Sequence, residues 1–216
     1  MSEAQSIVIA IDGPSASGKS TNARIISAKL GYVYVDTGAM YRTLAWYALN
    51  KGTDVTDTPA VEALCRGWPA KLVKRENSIW LEVDGYFPEK EIRSSEVSKV
   101  VSYVAQVPYV RKWMKERQRS CVDFGNLVME GRDITSNIFP ETPHKFYLDA
   151  SADERQARRD ADGIEEDLAA RDHRDSTRKA APLVVADGAM VINNSGESPE
   201  ETSARIIALV KNRKSG

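Results

Sequence analysis

The sequence predicts a three-layer α/β protein, with a five-stranded parallel sheet carrying helices on both faces. Three observations carry that prediction. Short β-branched runs alternate with helical patterns along most of the chain. The runs are nearly continuous in apolar character, as in strands buried on both faces. The first of them, Ile7-Val8-Ile9-Ala10-Ile11, leads through Asp12 into Gly13-Pro14-Ser15-Ala16-Ser17-Gly18-Lys19-Ser20-Thr21 and then into a helical pattern. That is the strand, loop and helix order of a phosphate-binding loop.

The loop fits G-x-x-x-x-G-K-[ST] at each fixed position. Gly13 and Gly18 lack Cβ atoms where the backbone must curl, so that successive N–H groups can point at phosphate oxygens. Lys19 adds a mobile charge for β- and γ-phosphates, and the Ser20 hydroxyl suits Mg²⁺. A helix starting there turns its positive dipole end toward the anion. Residues 13–21 are therefore expected to hold a nucleoside triphosphate.

The elements follow in order. Apolar and small residues at helical spacing (Ala23, Ile26, Leu30) predict a helix over 22–30, stopped by Gly31. Tyr32-Val33-Tyr34-Val35 is the second strand, ending in the polar turn Asp36-Thr37-Gly38 at the carboxyl edge, where open α/β sheets bind ligands. A helix is expected over 39–50, with Arg42 in its first turn; a cation opposes the dipole there, which favours a phosphate-facing role. Thr58-Pro59 reads as a cap and N1 proline opening a short helix. Lys71-Leu72-Val73-Lys74 and Ile79-Trp80-Leu81-Glu82-Val83 form a β-hairpin signal that marks an insertion. Ser94 or Ser95 caps a helix through Val104, and Pro108 restarts another to about Cys121. The core resumes with a strand over 126–130 ending in Gly131-Arg132-Asp133, followed by strands over 145–148 and 190–193. Ser151 with Glu154, and Ser198 with Glu201, are capping boxes that open the helices after those two strands.

Composition bounds the partners. With 30 basic and 31 acidic residues in 216, the formal net charge is -1, so a nucleic-acid polymer or an anionic membrane surface is not expected. No window reaches the length of a membrane span, and Met1 to Gln5 has no signal-peptide character. Cys65 and Cys121 stand far apart without a metal or redox spacing, as in a reduced compartment. A cytoplasmic, monomeric protein is expected.

The segment from Arg155 to Arg178 concentrates arginine among acidic residues. Composition alone fits a solvated helical hairpin stitched by i,i+4 pairs. Two features favour function. Arginine replaces lysine throughout, which suits bidentate phosphate recognition. Arg171, Asp175 and Arg178 also follow i, i+4, i+7 spacing, a cation, carboxylate and cation row on one helix face. Three strand-end turns then converge, and Arg42 and Arg132 can supply a second phosphate site beside the loop. In-line phosphoryl transfer needs mostly positioning and charge stabilisation.

These residues resemble those of the bacterial-type cytidylate kinases over nearly the whole chain. The resemblance rests on I-D-G-P-S-x-S-G-K-S, D-T-G-A-M-Y-R at 36–42, I-R-S-S-E-V at 92–97, V-x-x-x-R ending at Arg111, and G-R-D at 131–133. It rests further on F-Y-L-D-A-S at 146–151, R-x-x-x-D-x-x-R at 171–178 and A-P-L at 181–183. It implies a P-loop NTPase fold with a nucleoside-monophosphate-binding insertion at about 54–122 and a helical lid at about 152–180. It implies ATP with Mg²⁺ as donor on the loop and CMP or dCMP as acceptor. Asp36, Thr37 and Tyr41 would belong to the acceptor site, and Arg42 and Arg132 would hold its phosphate. Ser102, Arg111 and Asp133 would read cytosine, and Arg171 and Asp175 would hold the sugar. Arg178 would close on base or phosphate, and Arg155 and Arg159 would be lid arginines assisting Lys19 and Arg132 at the transferring group. Two positions depart from the pattern: Asp160-Ala161-Asp162-Gly163-Ile164 is a short lid, and Glu130 stands where Asp is expected before G-R-D.

Two alternatives follow from the same residues. One is a kinase for another small acceptor, such as UMP, AMP or a metabolite hydroxyl. The other is a nucleotide-dependent switch, disfavoured because Asn50-Lys51-Gly52 is followed by Thr53, so that no N-K-x-D guanine motif is present.

Overall fold

The computed structural model describes residues 6–161, 168–178 and 180–212. The strands are β1 (Val8–Asp12), β2 (Val33–Asp36), β3 (Ala70–Arg75), β4 (Ser78–Val83), β5 (Leu127–Gly131), β6 (His144–Asp149) and β7 (Met190–Asn193). The α-helices are α1 (Lys19–Leu30), α2 (Thr37–Asn50), α3 (Thr58–Arg66), α4 (Ser95–Val104), α5 (Pro108–Ser120), α6 (Ala152–Ala161), α7 (Leu168–Thr177) and α8 (Pro199–Asn212). The expected lid span at 152–180 includes residues 162–167 and 179, which lie outside the described residues.

Among the described residues the sheet has seven strands in the order β3-β4-β2-β5-β1-β6-β7, not the five expected. The two extra strands are the hairpin of the insertion. Its second strand pairs with β2 in parallel, Tyr34 opposite Ser78 and Val35 opposite Ile79, and β3 is the antiparallel edge. The hairpin turn makes the join: Asn77 Nδ2 donates to Tyr32 O at 2.7 Å, and Tyr34 N donates to Asn77 O at 2.8 Å. A hairpin pattern specifies the pairing of its own strands but not the sheet that receives them.

The period-2 alternation of each central strand divides the core in two. Val8 and Ala10 of β1, Val33 and Val35 of β2, and Leu127 and Met129 of β5 face one layer, built from α2 and from the insertion residues Val61, Trp68, Ile79, Leu81, Val97 and Met114. Ile9 and Ile11, Tyr34, Val128 and Phe146 face the other, closed by Ile26 of α1 and Ile206 of α8. The insertion thus shares the main core. Local signals set the ends. Gly31 stops α1 in the left-handed region at φ 68°, with Tyr32 N donating to Ser27 O at 3.0 Å. The box at Ser198 forms in full, Glu201 N donating to Ser198 Oγ at 3.2 Å and Ser198 N to Glu201 Oε2 at 2.9 Å. The one expected at Ser151 forms only as a serine cap: Glu154 N donates to Ser151 Oγ at 3.3 Å, but Ser151 N donates to Ser195 Oγ and the Glu154 carboxylate takes Gly196 N and Arg158 instead. The cap of α3 is Asp57, which accepts from Ala60 N at 3.4 Å, one residue before the expected Thr58. Among the described residues no helix is long and apolar enough to cross a membrane. Both cysteines are free and buried.

Candidate active site

The carboxyl ends of β1, β2 and β5 open into one cleft of about 380 Å³, with α4, α6 and α7 forming its other walls. Among the described residues, nine basic side chains line it against four acidic ones, an excess of positive charge suited to more than one phosphate.

The phosphate loop forms the floor. Gly13 has φ 152°, and a Cβ there would lie 2.0 Å from Leu148 O, so the neighbouring strand excludes any side chain. Gly18, at φ 85°, immediately precedes α1. Lys19 is buried and donates to Pro14 O at 2.5 Å and Ser17 Oγ at 3.3 Å. Burial, with Arg132 and Arg171 nearby, pushes its pKa down to about 7 despite Glu130 and Asp12. A bound anion would restore its charge.

The β2 edge supplies the second wall. Asp36 caps α2 by accepting from Ala39 N at 2.7 Å, and it holds Arg42 at 3.1 Å and Arg93 at 3.2 Å. Burial works against its charge, but the two arginines and the Ala39 amide outweigh it and keep the carboxyl below its ordinary range. Because α2 begins at Thr37, two residues earlier than expected, Arg42 lies in the second turn, where its pair with Asp36 offsets its unfavourable dipole position.

The β5 edge supplies the third. Gly131 is enclosed: a Cβ there would lie 2.6 Å from Thr37 Oγ1 and 2.7 Å from Ile134 Cδ1. Arg132 Nε donates to Asp175 Oδ2 at 2.8 Å, so the strand-end arginine and the α7 carboxylate form one unit. Burial again opposes the charge of Asp175, and Arg132 and Arg171 outweigh it. Arg171 is pushed down to about 10, by burial first and then by Arg132. Asp133 is buried between Arg111 Nη2 at 2.6 Å and Arg178 Nη2 at 3.4 Å. Ser102 of α4 reaches the same end of the cleft, and among the described residues its buried Oγ has no hydrogen-bond partner.

All but four of the site residues expected from the sequence line this cleft; Gly13, Pro14, Arg111 and Arg155 do not. Arg111 faces Asp133 from behind. Arg155 donates to Ser15 O at 3.2 Å and pairs with Asp172, whose Oδ1 accepts from Ser15 N at 3.2 Å, so this pair braces the phosphate loop. Arg159 does line the cleft. Arg178 lies one residue beyond α7 rather than on it, and donates from Nε to Ala181 O at 2.6 Å.

Arg24 lines the cleft without any signal in the sequence, and the contacts of Glu130, Tyr34 and Asp12 were not specified by it. Arg24 lies over the Tyr34 ring, 5.0 Å from its centroid, and Tyr34 OH donates to Glu130 Oε1 at 2.8 Å. Burial and Glu130 push that phenol far up, so it remains a donor. Asp12, fully buried, accepts from Ile134 N at 2.9 Å, Thr135 N at 2.7 Å and Thr135 Oγ1 at 2.6 Å, tying the phosphate-loop strand to the turn after Asp133. Burial pushes its pKa up to about 6 against the pull of Thr135.

A donor loop facing an arginine-rich second wall across one cleft defines a phosphate-loop phosphotransferase of the nucleoside monophosphate kinase class. A family model described as Cytidylate kinase matches residues 9–212. The chain is 40% identical over 218 residues to the cytidylate kinase of Geobacillus thermodenitrificans, covering 96% of this chain and 97% of that one. It is 41% identical over 214 residues to that of Pelotomaculum thermopropionicum, covering 94% and 95%, and 40% identical over 211 residues to that of Streptococcus suis, covering 91% and 92%. The chain belongs to the cytidylate kinase family.

Proposed function

We propose that the protein transfers the γ-phosphoryl group of ATP directly to CMP and dCMP, giving CDP and dCDP. The observation that carries this is the single cleft in which Lys19 and the α1 N-terminus face Arg42, Arg132 and Arg171. Such an arrangement suits a donor and an acceptor phosphate held together, whereas a hydrolytic site needs only the first. The donor phosphates would lie on residues 15–21, with Lys19 charged by their presence. Arg42 and Arg132 would hold the acceptor phosphate, and Arg171 and Asp175 the sugar. Arg159 would add positive charge at the transferring group, and Arg155 would act through its hold on the loop. No protein base is needed, because a phosphate monoester has its second pKa near ~6 and is already ionised at neutral pH.

Mg²⁺ fits this donor set: the Ser20 hydroxyl and the Glu130 carboxylate both line the cleft, and Glu130 keeps one oxygen clear of Tyr34. Bound with ATP, the ion would neutralise charge between the β- and γ-phosphates. For the base, cytosine offers an amino donor beside two acceptors. Asp133, Ser102 and Arg178 supply the complementary groups, and uracil reverses two of the base's three edge groups. The test is ADP release with CMP, dCMP, UMP and AMP compared at equal concentration. CMP and dCMP are expected to be turned over with the highest kcat/KM; a higher value for UMP or AMP would overturn the acceptor assignment.

A further inference from the structure

The two oxygens of Asp133 face different ways. Oδ2 accepts from Arg111 Nη2 at 2.6 Å and from Asn137 Nδ2 at 2.8 Å, and neither residue lines the cleft. Among the described residues Oδ1 accepts one hydrogen bond, from Arg178 Nη2 at 3.4 Å, and Arg178 does line the cleft. The carboxylate is therefore gripped from behind, and the oxygen with accepting capacity to spare is on the cleft side.

The grip has its own support. Lys115 Nζ donates to Asn137 Oδ1 at 2.9 Å. An ammonium group has donors only, so it must meet the carbonyl side of the amide, which turns the NH₂ side onto Asp133. The backbone keeps residue 137 in reach: Asn137 N and Ile138 N both donate to Asp133 O, at 2.9 and 3.1 Å, within the single π-helical turn Ile134–Ile138. Without Asn137 the carboxylate would be held by Arg111 at 2.6 Å on one oxygen and only by the long Arg178 contact at 3.4 Å on the other, a looser hold on a terminal torsion that is broad for aspartate.

We propose that Asn137, oriented by Lys115, is a positioning residue that sets acceptor-base specificity by keeping Asp133 Oδ1 turned toward the exocyclic amino group of the base. The inference deepens the reading of Asp133 as the base-reading carboxylate and rests on it. An amino group on the base donates to Oδ1. A keto oxygen at the same place meets it as a second acceptor and is rejected for as long as the carboxylate cannot turn away.

The test is kcat/KM for CMP and for UMP at saturating ATP, in the native chain and in Asn137→Ala, Lys115→Met, Lys115→Glu and the double variant Lys115→Glu/Asn137→Ala. Losing a hydrogen bond to a charged group should lower the CMP to UMP ratio about tenfold in Asn137→Ala, through KM for CMP, with KM for ATP unchanged within about twofold. Lys115→Met should give a smaller change in the same direction, about two- to threefold. Lys115→Glu should match Asn137→Ala, because a carboxylate attracts the amide NH₂ and swings the amide oxygen onto Asp133. In the Asn137→Ala background the same charge reversal should add nothing, since the effect travels through the amide. An unchanged ratio, an equal loss for both nucleotides, or an additive effect of Lys115→Glu in the double variant would overturn the relay. The two Lys115 single variants decide the matter even if Asn137→Ala fails to fold. Absence of any CMP preference in the native chain would overturn the base reading and the relay together, whereas an intact preference that Asn137→Ala and Lys115→Glu leave untouched would overturn the relay alone.

Discussion

Nucleotide binding should draw a proton from solution, and the amount can be worked from Lys19. With protein groups alone around it, its pKa is about 7, set by burial and by the arginines opposite. At pH 8 such a group carries roughly 0.1 proton, and once triphosphate oxygens surround it the ammonium form is restored, so binding should take up roughly 0.9 proton per site. At pH 7 the uptake from Lys19 falls to roughly half a proton. Isothermal titration calorimetry with ATP and Mg²⁺ at pH 8, repeated in buffers of different ionisation enthalpy, reads this number as the slope of observed against buffer enthalpy. Lys19→Met, titrated to saturation, should give a slope near zero. A native slope near zero would refute the reasoning, because it would mean that Lys19 is already charged before nucleotide is added. The sign for folding is consistent: the unfolded chain binds this proton more tightly, so the cost of Lys19 to folding without nucleotide is full below pH 7 and fades as pH rises toward 10.5.

The remaining predictions follow from contacts at the loop and its neighbours. Gly13→Ala should lose about 2–4 kcal/mol in urea unfolding, since its Cβ would meet the Leu148 carbonyl at 2.0 Å; native stability would contradict the packing. Gly131→Ala should raise KM for the acceptor at least about tenfold, by displacing the turn that carries Arg132 and Asp133, while ATP affinity measured by calorimetry stays within about threefold. Asp175→Asn should raise KM for CMP about 10- to 100-fold and leave KM for ATP nearly unchanged, because Arg132 loses its ionised partner at 2.8 Å; an equal effect on both would place Asp175 on the donor side.

Much of the fold was legible because its signals are local. The loop at 13–21, the strand-end turns at Asp36 and Gly131, and the serine caps at Ser151 and Ser198 are read from residues a few positions apart. What was not legible depends on partners distant in sequence. Ile79 and Trp80 announce a hairpin, but only the docking of Asn77 on Tyr32 and Tyr34 makes it part of the main sheet. Asp12 reads as a strand end, and its role appears only where Ile134 and Thr135 come to it from more than a hundred residues away. Arg111 and Arg155 carry the right chemistry, but spacing does not say which way a side chain turns. One turns to the back of Asp133 and the other to the back of the phosphate loop. The signal for Asn137 was weaker still, an unremarkable amide four residues after a recognised aspartate.

The central claim is that one cleft holds donor and acceptor for direct transfer to a cytidine monophosphate. The most direct measurement is a ³¹P NMR time course of ATP, Mg²⁺ and CMP with the native chain. CDP and ADP should appear in equal amounts with no inorganic phosphate. ADP accompanied by inorganic phosphate, or ADP formed without CDP, would contradict the account.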